Sequence, residues 1–193
     1  MTPERGGLPP SWNLPNLLTG VRILAIPVVM ALLAFPGRLA SFLAALVFMA
    51  AGATDFLDGF FARRQKLVSP FGKFMDPLAD KLLVSAALIM LISLGRVPAW
   101  MAFVIIGREL AVTGLRGLAA AEGIMLDPDR WGKTKTLVQM VALTAVILHY
   151  PFFTLDFQRL GVGLLWLALL VTVASGVGYF LTFFRQTQEN QEP

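Results

Sequence analysis

The sequence predicts an all-α integral membrane protein, with six transmembrane helices around a polar cavity that opens to the cytoplasm. Three observations predict it. Hydrophobic residues make up 56% of the 193-residue chain and charged residues only 15%, with a mean hydropathy of +0.71. A soluble domain of this length would lack the polar surface to cover its core. Apolar runs long enough to span a bilayer, about 20 residues as helix, recur along the chain. Residues 39–54 and 160–184 hold no charge at all. The charges that do fall within spans gather on one side of the membrane.

The elements follow in order. Residues 1–16 form an N-terminal cytoplasmic or interfacial segment. MTPERGGLPPSWNLPNLL lacks a basic region followed at once by a short apolar stretch and a small-residue cleavage site, so no cleaved signal peptide is expected. The spans are read as 17–35, 39–62, 75–95, 98–121, 133–151 and 160–184. Pro- or Gly-bearing links separate most of them: FPGR at 35–38, VSPFGK at 68–73 and GRVP at 95–98. EGIMLDPDRWG at 122–132 is the longest polar connection. No internal repeat or low-complexity region divides the chain, which reads as one domain over 1–193. It contains no cysteine, so no disulfide or thiol chemistry is available.

Basic residues in short loops stay on the cytoplasmic side. The links after spans 1, 3 and 5 hold one arginine each: Arg38, Arg96 and Arg159. The link after span 2 holds Arg63, Arg64, Lys66 and Lys73, and the link after span 4 leads into Arg130, Lys133 and Lys135. Both termini are therefore expected in the cytoplasm, in a multi-pass protein of the cytoplasmic (inner) membrane. The net charge of +4 is small, and no nucleic-acid partner is expected. With alternating helix direction, Arg22, Asp55, Asp58, Asp76, Asp80, Arg108, Glu109, Arg116, Lys133 and Lys135 all fall in the cytoplasmic half. Charges within spans are expensive and face a polar cavity or each other.

The acids carry the chemistry. Asp55, Asp58, Gly59 and Ala62 are spaced i, i+3, i+4, i+7 and share a helix face. Asp76 and Asp80, at i and i+4, share a face on the next helix. Four converging carboxylates raise each other's pKa values and call for a counter-charge that takes several oxygen ligands. Magnesium or manganese fits, because hard cations favour carboxylate oxygen and magnesium also engages substrate phosphates. The only histidine, His149, lies at the far end of span 5, so a zinc site is not expected. Gly59 costs about 1 kcal/mol relative to alanine within a helix. Beside two carboxylates this suggests a close backbone approach by a ligand; helix–helix packing is the other reading. Asp76 precedes Pro77 and also reads as a helix N-cap.

The run DFLDGFFARRQKLVSPFGKFMDPLAD, residues 55–80, resembles the CDP-alcohol phosphatidyltransferases at eight positions: Asp55, Asp58, Gly59, Ala62, Arg63, Gly72, Asp76 and Asp80. The resemblance implies two metal ions, Mg2+ or Mn2+, held by Asp55, Asp58, Asp76 and Asp80, with Asp80 as catalytic base. It implies a CDP-diacylglycerol site formed by Asn16, Thr19, Asp58, Gly59, Ala62, Arg63 and Ser69, and a homodimer. Small residues at Gly161, Gly163, Gly176 and Gly178 are weak sequence support for the dimer.

The acceptor is read from other segments. NLPNLLTGVRILAIP at 13–27, GRELAVTGLRGLAAAEG at 107–123 and WGKTKT at 131–136 resemble the bacterial branch of the family whose acceptor is sn-glycerol 3-phosphate. Arg108, Arg116, Lys133 and Lys135 are expected to cup the acceptor's phosphate, with Arg116 as the principal contact. The competing reading pairs Arg116 with Glu109 on the same helix face. The expected activity is thus transfer of a phosphatidyl group from CDP-diacylglycerol to glycerol 3-phosphate. An inositol-phosphate or phospholipid acceptor is the alternative within the family. A divalent-cation transporter is the alternative outside it, although the outer halves of spans 1 to 5 lack polar groups.

Overall fold

The computed structural model describes residues 14–65, 70–122, 131–152 and 155–189, with side chains at 17–54, 75–122, 135–151 and 155–188. Six helices are described: α1 (Leu14–Ala34), α2 (Arg38–Gln65), α3 (Pro70–Ser93), α4 (Ala99–Ala121), α5 (Trp131–Leu148) and α6 (Phe157–Glu189). Each coincides with an expected span. Between α5 and α6 the two-residue strands β1 (Pro151–Phe152) and β2 (Leu155–Asp156) pair antiparallel, Pro151 against Asp156. The expectation of a purely helical chain is corrected by this one short ladder. Among the described residues, two helices are long and apolar enough to cross a membrane, over Leu17–Ala34 and Phe157–Gln188; Arg38–Thr54 and Lys135–Leu148 are shorter apolar helices.

The side-chain pattern of α1 is inside-out. Leu17, Val21, Leu24 and Val28 are exposed at i, i+4, i+7 and i+11, while Thr19, Arg22, Ala25, Val29 and Leu33 are buried. In water an amphipathic helix turns its apolar stripe inward and its polar groups outward; here the polar groups are inside and the outward face is apolar. α6 repeats the arrangement, with Leu167, Leu170, Val177 and Leu181 exposed and Thr172 fully buried. Such surfaces suit hydrocarbon as the solvent, where backbone polar groups are satisfied within each helix.

Contacts divide the chain into two compact units, Met1–Ala87 and Leu88–Pro193, and α3 runs through the boundary. In the first unit α1 packs on α2. In the second, α6 packs against both α4 and α5.

The start of α3 corrects the N-cap reading of Asp76. The helix begins at Pro70, a residue suited to a first turn because its missing N–H has no intrahelical partner to lose. Pro77 lies inside the helix, so Asp76 is an interior residue and does not cap. At its other end α3 closes with Gly95 at φ +67. Arg96 N donates to Leu91 O and Gly95 N to Ile92 O, both at 2.9 Å, the Schellman arrangement that glycine accommodates without strain. Arg96 then caps α5, donating from Nη1 to the Ile147 carbonyl at 3.1 Å. A cation at a helix C-terminus also complements the helix dipole.

α6 approaches α5 closely at Gly161. A Cβ placed there would lie 2.6 Å from the Val146 backbone nitrogen and 2.7 Å from its Cγ2. At Gly163, on the same helix, nothing lies within 4 Å. Gly161→Ala is therefore expected to lower the melting temperature in detergent, at a cost of about 1–3 kcal/mol from overpacking. Gly163→Ala is expected to be neutral or to stabilise by up to about 1 kcal/mol through helix propensity. Parallel thermal unfolding of the two variants checks this, and equal stabilities would refute the close approach.

Candidate active site

The described chemistry falls into an acidic group in the first unit and a cationic group in the second. In the first, α1 turns Thr19 and Arg22 inward. The Thr19 hydroxyl donates to Oδ1 of Asp76 on α3, tying α1 to α3 at the acidic face. Arg22 is fully buried, and its Nε donates to the Ala51 carbonyl of α2 at 3.3 Å. Thr54 Oγ1 donates to the same carbonyl at 2.6 Å. Ala51 lies one helical turn before Asp55, so these bonds bring a permanent cation to the end of α2 that carries the acids.

Asp55, Asp58, Gly59, Ala62 and Arg63 lie on α2, whose helical backbone runs to Gln65. The helix gives their spacing a common face, while their side chains lie outside the described residues. Asp76 and Asp80 are half-buried, one turn apart on α3. Among the described residues no three His, Asp or Glu side chains converge; Asp76 and Asp80 are the described half of the expected four. Asn16 is on α1 without a described side chain, and Ser69 lies outside the described residues.

In the second unit, Lys135 of α5 pairs through Nζ with Glu109 Oε1 of α4. Arg108 Nη1 lies 3.6 Å from the same Oε1, and Arg108 Nη2 donates to Ser175 Oγ of α6. Lys135 is only 5% exposed. A buried lysine and a half-buried arginine thus share one carboxylate. An unpaired ammonium or guanidinium at depth is strongly disfavoured, and Glu109 compensates both cations.

This group overlaps the expected acceptor site and rearranges it. Arg108 and Lys135 come together; Arg116 is exposed, away from their shared carboxylate. Glu109 was expected to compete as Arg116's partner, and it pairs instead with Lys135 and Arg108. Lys133 lies in the first turn of α5 without a described side chain. Gly161 and Gly176, read as dimer support, both serve close contacts within the chain, Gly161 against Val146 and Gly176 against Arg108.

Residues 12–174 match the CDP-alcohol phosphatidyltransferase family. The chain belongs to this family. It is 46% identical over 182 residues to the CDP-diacylglycerol–glycerol-3-phosphate 3-phosphatidyltransferase of Bacillus subtilis (strain 168), covering 88% of this chain and 94% of that enzyme. The enzyme of the same name from Rickettsia bellii (strain RML369-C) is 41% identical over 169 residues, covering 87% and 93%. An Arabidopsis thaliana relative, CDP-diacylglycerol–glycerol-3-phosphate 3-phosphatidyltransferase 2, is 37% identical, covering 90% and 80%.

Within this phosphatidyltransferase, local spacing marks the acids and most of the cations but not the contacts made by Arg22, Glu109 and Ser175. The signal was available for two of them, since a charge inside an apolar helix demands a partner. For Ser175 there was none, because a serine in a membrane helix is unremarked without knowledge of what it faces.

Thr19→Val removes the donor to Asp76 while keeping the shape of the side chain. It is expected to lower kcat/KM about tenfold, the worth of one hydrogen bond to a charged group, with Thr19→Ser close to the parent. Steady-state rates for the two variants check this; a fully active valine variant would separate the bond from catalysis.

Proposed function

We propose that this chain transfers the phosphatidyl group of CDP-diacylglycerol to sn-glycerol 3-phosphate, giving phosphatidylglycerophosphate and CMP in phospholipid biosynthesis. The observation that carries the proposal is the family membership, with relatives of that printed activity matched over nearly their whole length. The acidic face of α2 and α3 and the buried cations of α4 and α5 support it chemically. The chain sits in the cytoplasmic membrane as six spans with both termini in the cytoplasm. This lets the lipid tails stay in the bilayer while a soluble acceptor enters from the cytoplasm.

Asp55, Asp58, Asp76 and Asp80 would hold two divalent cations, Mg2+ or Mn2+. The donor set fits: Asp76 and Asp80 offer oxygen ligands from one half-buried helix face, and Thr19 orients the Asp76 carboxylate from behind. When bound, such ions neutralise a diphosphate and stabilise charge on attacking and leaving oxygens. Asn16, Thr19, Gly59, Ala62, Arg63 and Ser69 line the CDP-diacylglycerol site, where Arg63 supplies a permanent cation for the diphosphate. Asp80 takes the proton of the acceptor hydroxyl. The resulting oxygen forms a bond to the lipid-side phosphorus, and the bond from that phosphorus to CMP breaks.

Arg108 and Lys135 hold the acceptor's phosphate, with Lys133 and Arg116 adding positive charge around them. The weight placed on Arg116 by sequence moves to half-buried Arg108 and buried Lys135, which are gathered around one carboxylate. A phosphate-bearing acceptor suits buried cations better than a neutral polyol, because a dianion compensates charge that a polyol leaves bare. A homodimer belongs to the same reading. Gly163 and Gly178, beside which nothing lies within 4 Å, are the α6 glycines left to meet a second copy.

The test is CMP release from CDP-diacylglycerol by purified protein against a panel of acceptors: glycerol 3-phosphate, inositol phosphate, a phospholipid and glycerol. Turnover is expected with glycerol 3-phosphate, abolished by chelator and restored by magnesium or manganese. Preference for another acceptor, or full activity in chelator, refutes the corresponding part.

Asp80→Asn probes the base separately. It is expected to cut turnover about 10²–10⁴-fold, the usual worth of a general base, while CDP-diacylglycerol binding persists through the three remaining acids. Parallel loss of binding and turnover would make Asp80 a metal ligand only.

A further inference from the structure

α6 carries a polar notch for which its apolar character gives no reason. Thr172 is fully buried, with its hydroxyl unpartnered among the described residues. Ser175 and Gly176 follow on the same side of the helix, three and four residues on. The notch is filled by Arg108 of α4. Its Nη2 donates to Ser175 Oγ, and its aliphatic stem lies against Gly176. A Cβ at position 176 would sit 3.0 Å from Arg108 Cγ, 3.2 Å from Nε and 3.7 Å from Cδ. The first two distances are tighter than ordinary contact, so a side chain at 176 would require the arginine to shift by a few tenths of an ångström.

The guanidinium is thus fixed at three points: Ser175 on one amino group, Glu109 facing the other at 3.6 Å, and the Gly176 backbone beneath the stem. Nε is buried and has no partner among the described residues, so the hold on this group comes from the notch and the two flanking side chains. An arginine free in solution samples many rotamers, and fixing it beforehand removes that entropy loss from the binding step. Ser175 and Gly176 fall just past the end of the family match at residue 174. The family match therefore says nothing of them.

We propose that Ser175 and Gly176 are positioning residues for acceptor selection: they hold Arg108 in the orientation that receives the acceptor's phosphate. This rests on the reading of Arg108 as an acceptor contact given above. The notch acts on the acceptor half of the reaction and leaves the nucleotide half untouched. α6 thereby takes part in substrate choice although it carries none of the acids.

The experiment measures KM for glycerol 3-phosphate and for CDP-diacylglycerol, with melting temperature, in Ser175→Ala, Gly176→Ala, Arg108→Ala and the double variant Gly176→Ala/Arg108→Ala. Ser175→Ala and Gly176→Ala are each expected to raise KM for glycerol 3-phosphate roughly tenfold. KM for CDP-diacylglycerol and melting temperature should stay near the parent values. In the Arg108→Ala background, Gly176→Ala should add nothing, because the side chain it displaces is gone. Ser175→Thr, which keeps the hydroxyl, should retain most acceptor affinity.

Two results overturn the proposal while sparing the reading beneath it. In one, Arg108→Ala raises KM for glycerol 3-phosphate but Ser175→Ala and Gly176→Ala do not. In the other, the single variants lower melting temperature and impair both substrates alike, which makes the notch packing alone. If Arg108→Ala leaves KM for glycerol 3-phosphate unchanged, the acceptor reading of Arg108 fails, and the proposal fails with it.

Discussion

Lys135, Glu109 and Arg108 are joined through one carboxylate between helices whose outward surfaces are hydrocarbon. Apolar surface on both sides of a membrane helix gives neighbouring helices little hydrophobic reason to associate, since lipid tails are as apolar as leucine. What holds them in register is what lipid cannot offer: partners for polar groups, and close packing at small residues. In the second unit the ion cluster ties α4 to α5 and Ser175 ties α4 to α6. Gly161 lets α6 lie against α5. In the first unit Arg22 does the same for α1 and α2 through the Ala51 carbonyl, and Thr19 for α1 and α3. Apart from Gly161, each of these contacts involves a group that the proposed chemistry also uses or adjoins.

The two groups differ in sign, and the difference is chemical. Asp55 and Asp58 share a face of α2 and Asp76 and Asp80 a face of α3, the set proposed above to hold divalent cations. The cations Arg108 of α4 and Lys135 of α5 have the Glu109 carboxylate between them. In the proposed reading a dianionic acceptor finds two strong donors there, largely removed from water. Electrostatic interaction is strongest where water is excluded and the dipoles need no rearrangement. Under that reading Glu109 is a compromise: it compensates the two cations and, by occupying them, weakens what they offer a ligand.

What was legible in the sequence was local. Six spans followed from apolar runs, and their helices begin and end within a few residues of expectation, because hydropathy over a window is a property of consecutive residues. The shared faces of Asp55 with Asp58 and of Asp76 with Asp80 followed from helical spacing for the same reason. The start of α3 was placed too late because Asp76–Pro77 imitates a helix beginning, whereas Pro70 supplies the real one and the helix tolerates Pro77 within it. The partner of Glu109 was misplaced because spacing favours a residue on the same helix over Lys135, 26 residues on. The link between Arg108 and Ser175, 67 residues apart, has no local trace at all. Left-handed backbone at His149, φ +37, and the short ladder after it belong to the same class, set by how α5 turns into α6.

The glycines of α6 show why such features escape a reading by composition. Glycine weakens a helix in water by about 1 kcal/mol relative to alanine, and α6 carries four of them in 33 residues. Counted alone, they read as a surface for another chain. Their surroundings separate them: Gly161 meets the backbone of α5, Gly176 meets the stem of Arg108, and Gly163 and Gly178 meet nothing within 4 Å. The same residue type thus serves two ends within one helix. At Gly161 the missing side chain brings two helices together, a purely structural gain. At Gly176 it makes room for a charged side chain, so the backbone of one helix determines where the cation of another can stand. A helix without a single acid in its apolar span still shapes the site, through the volume it leaves empty.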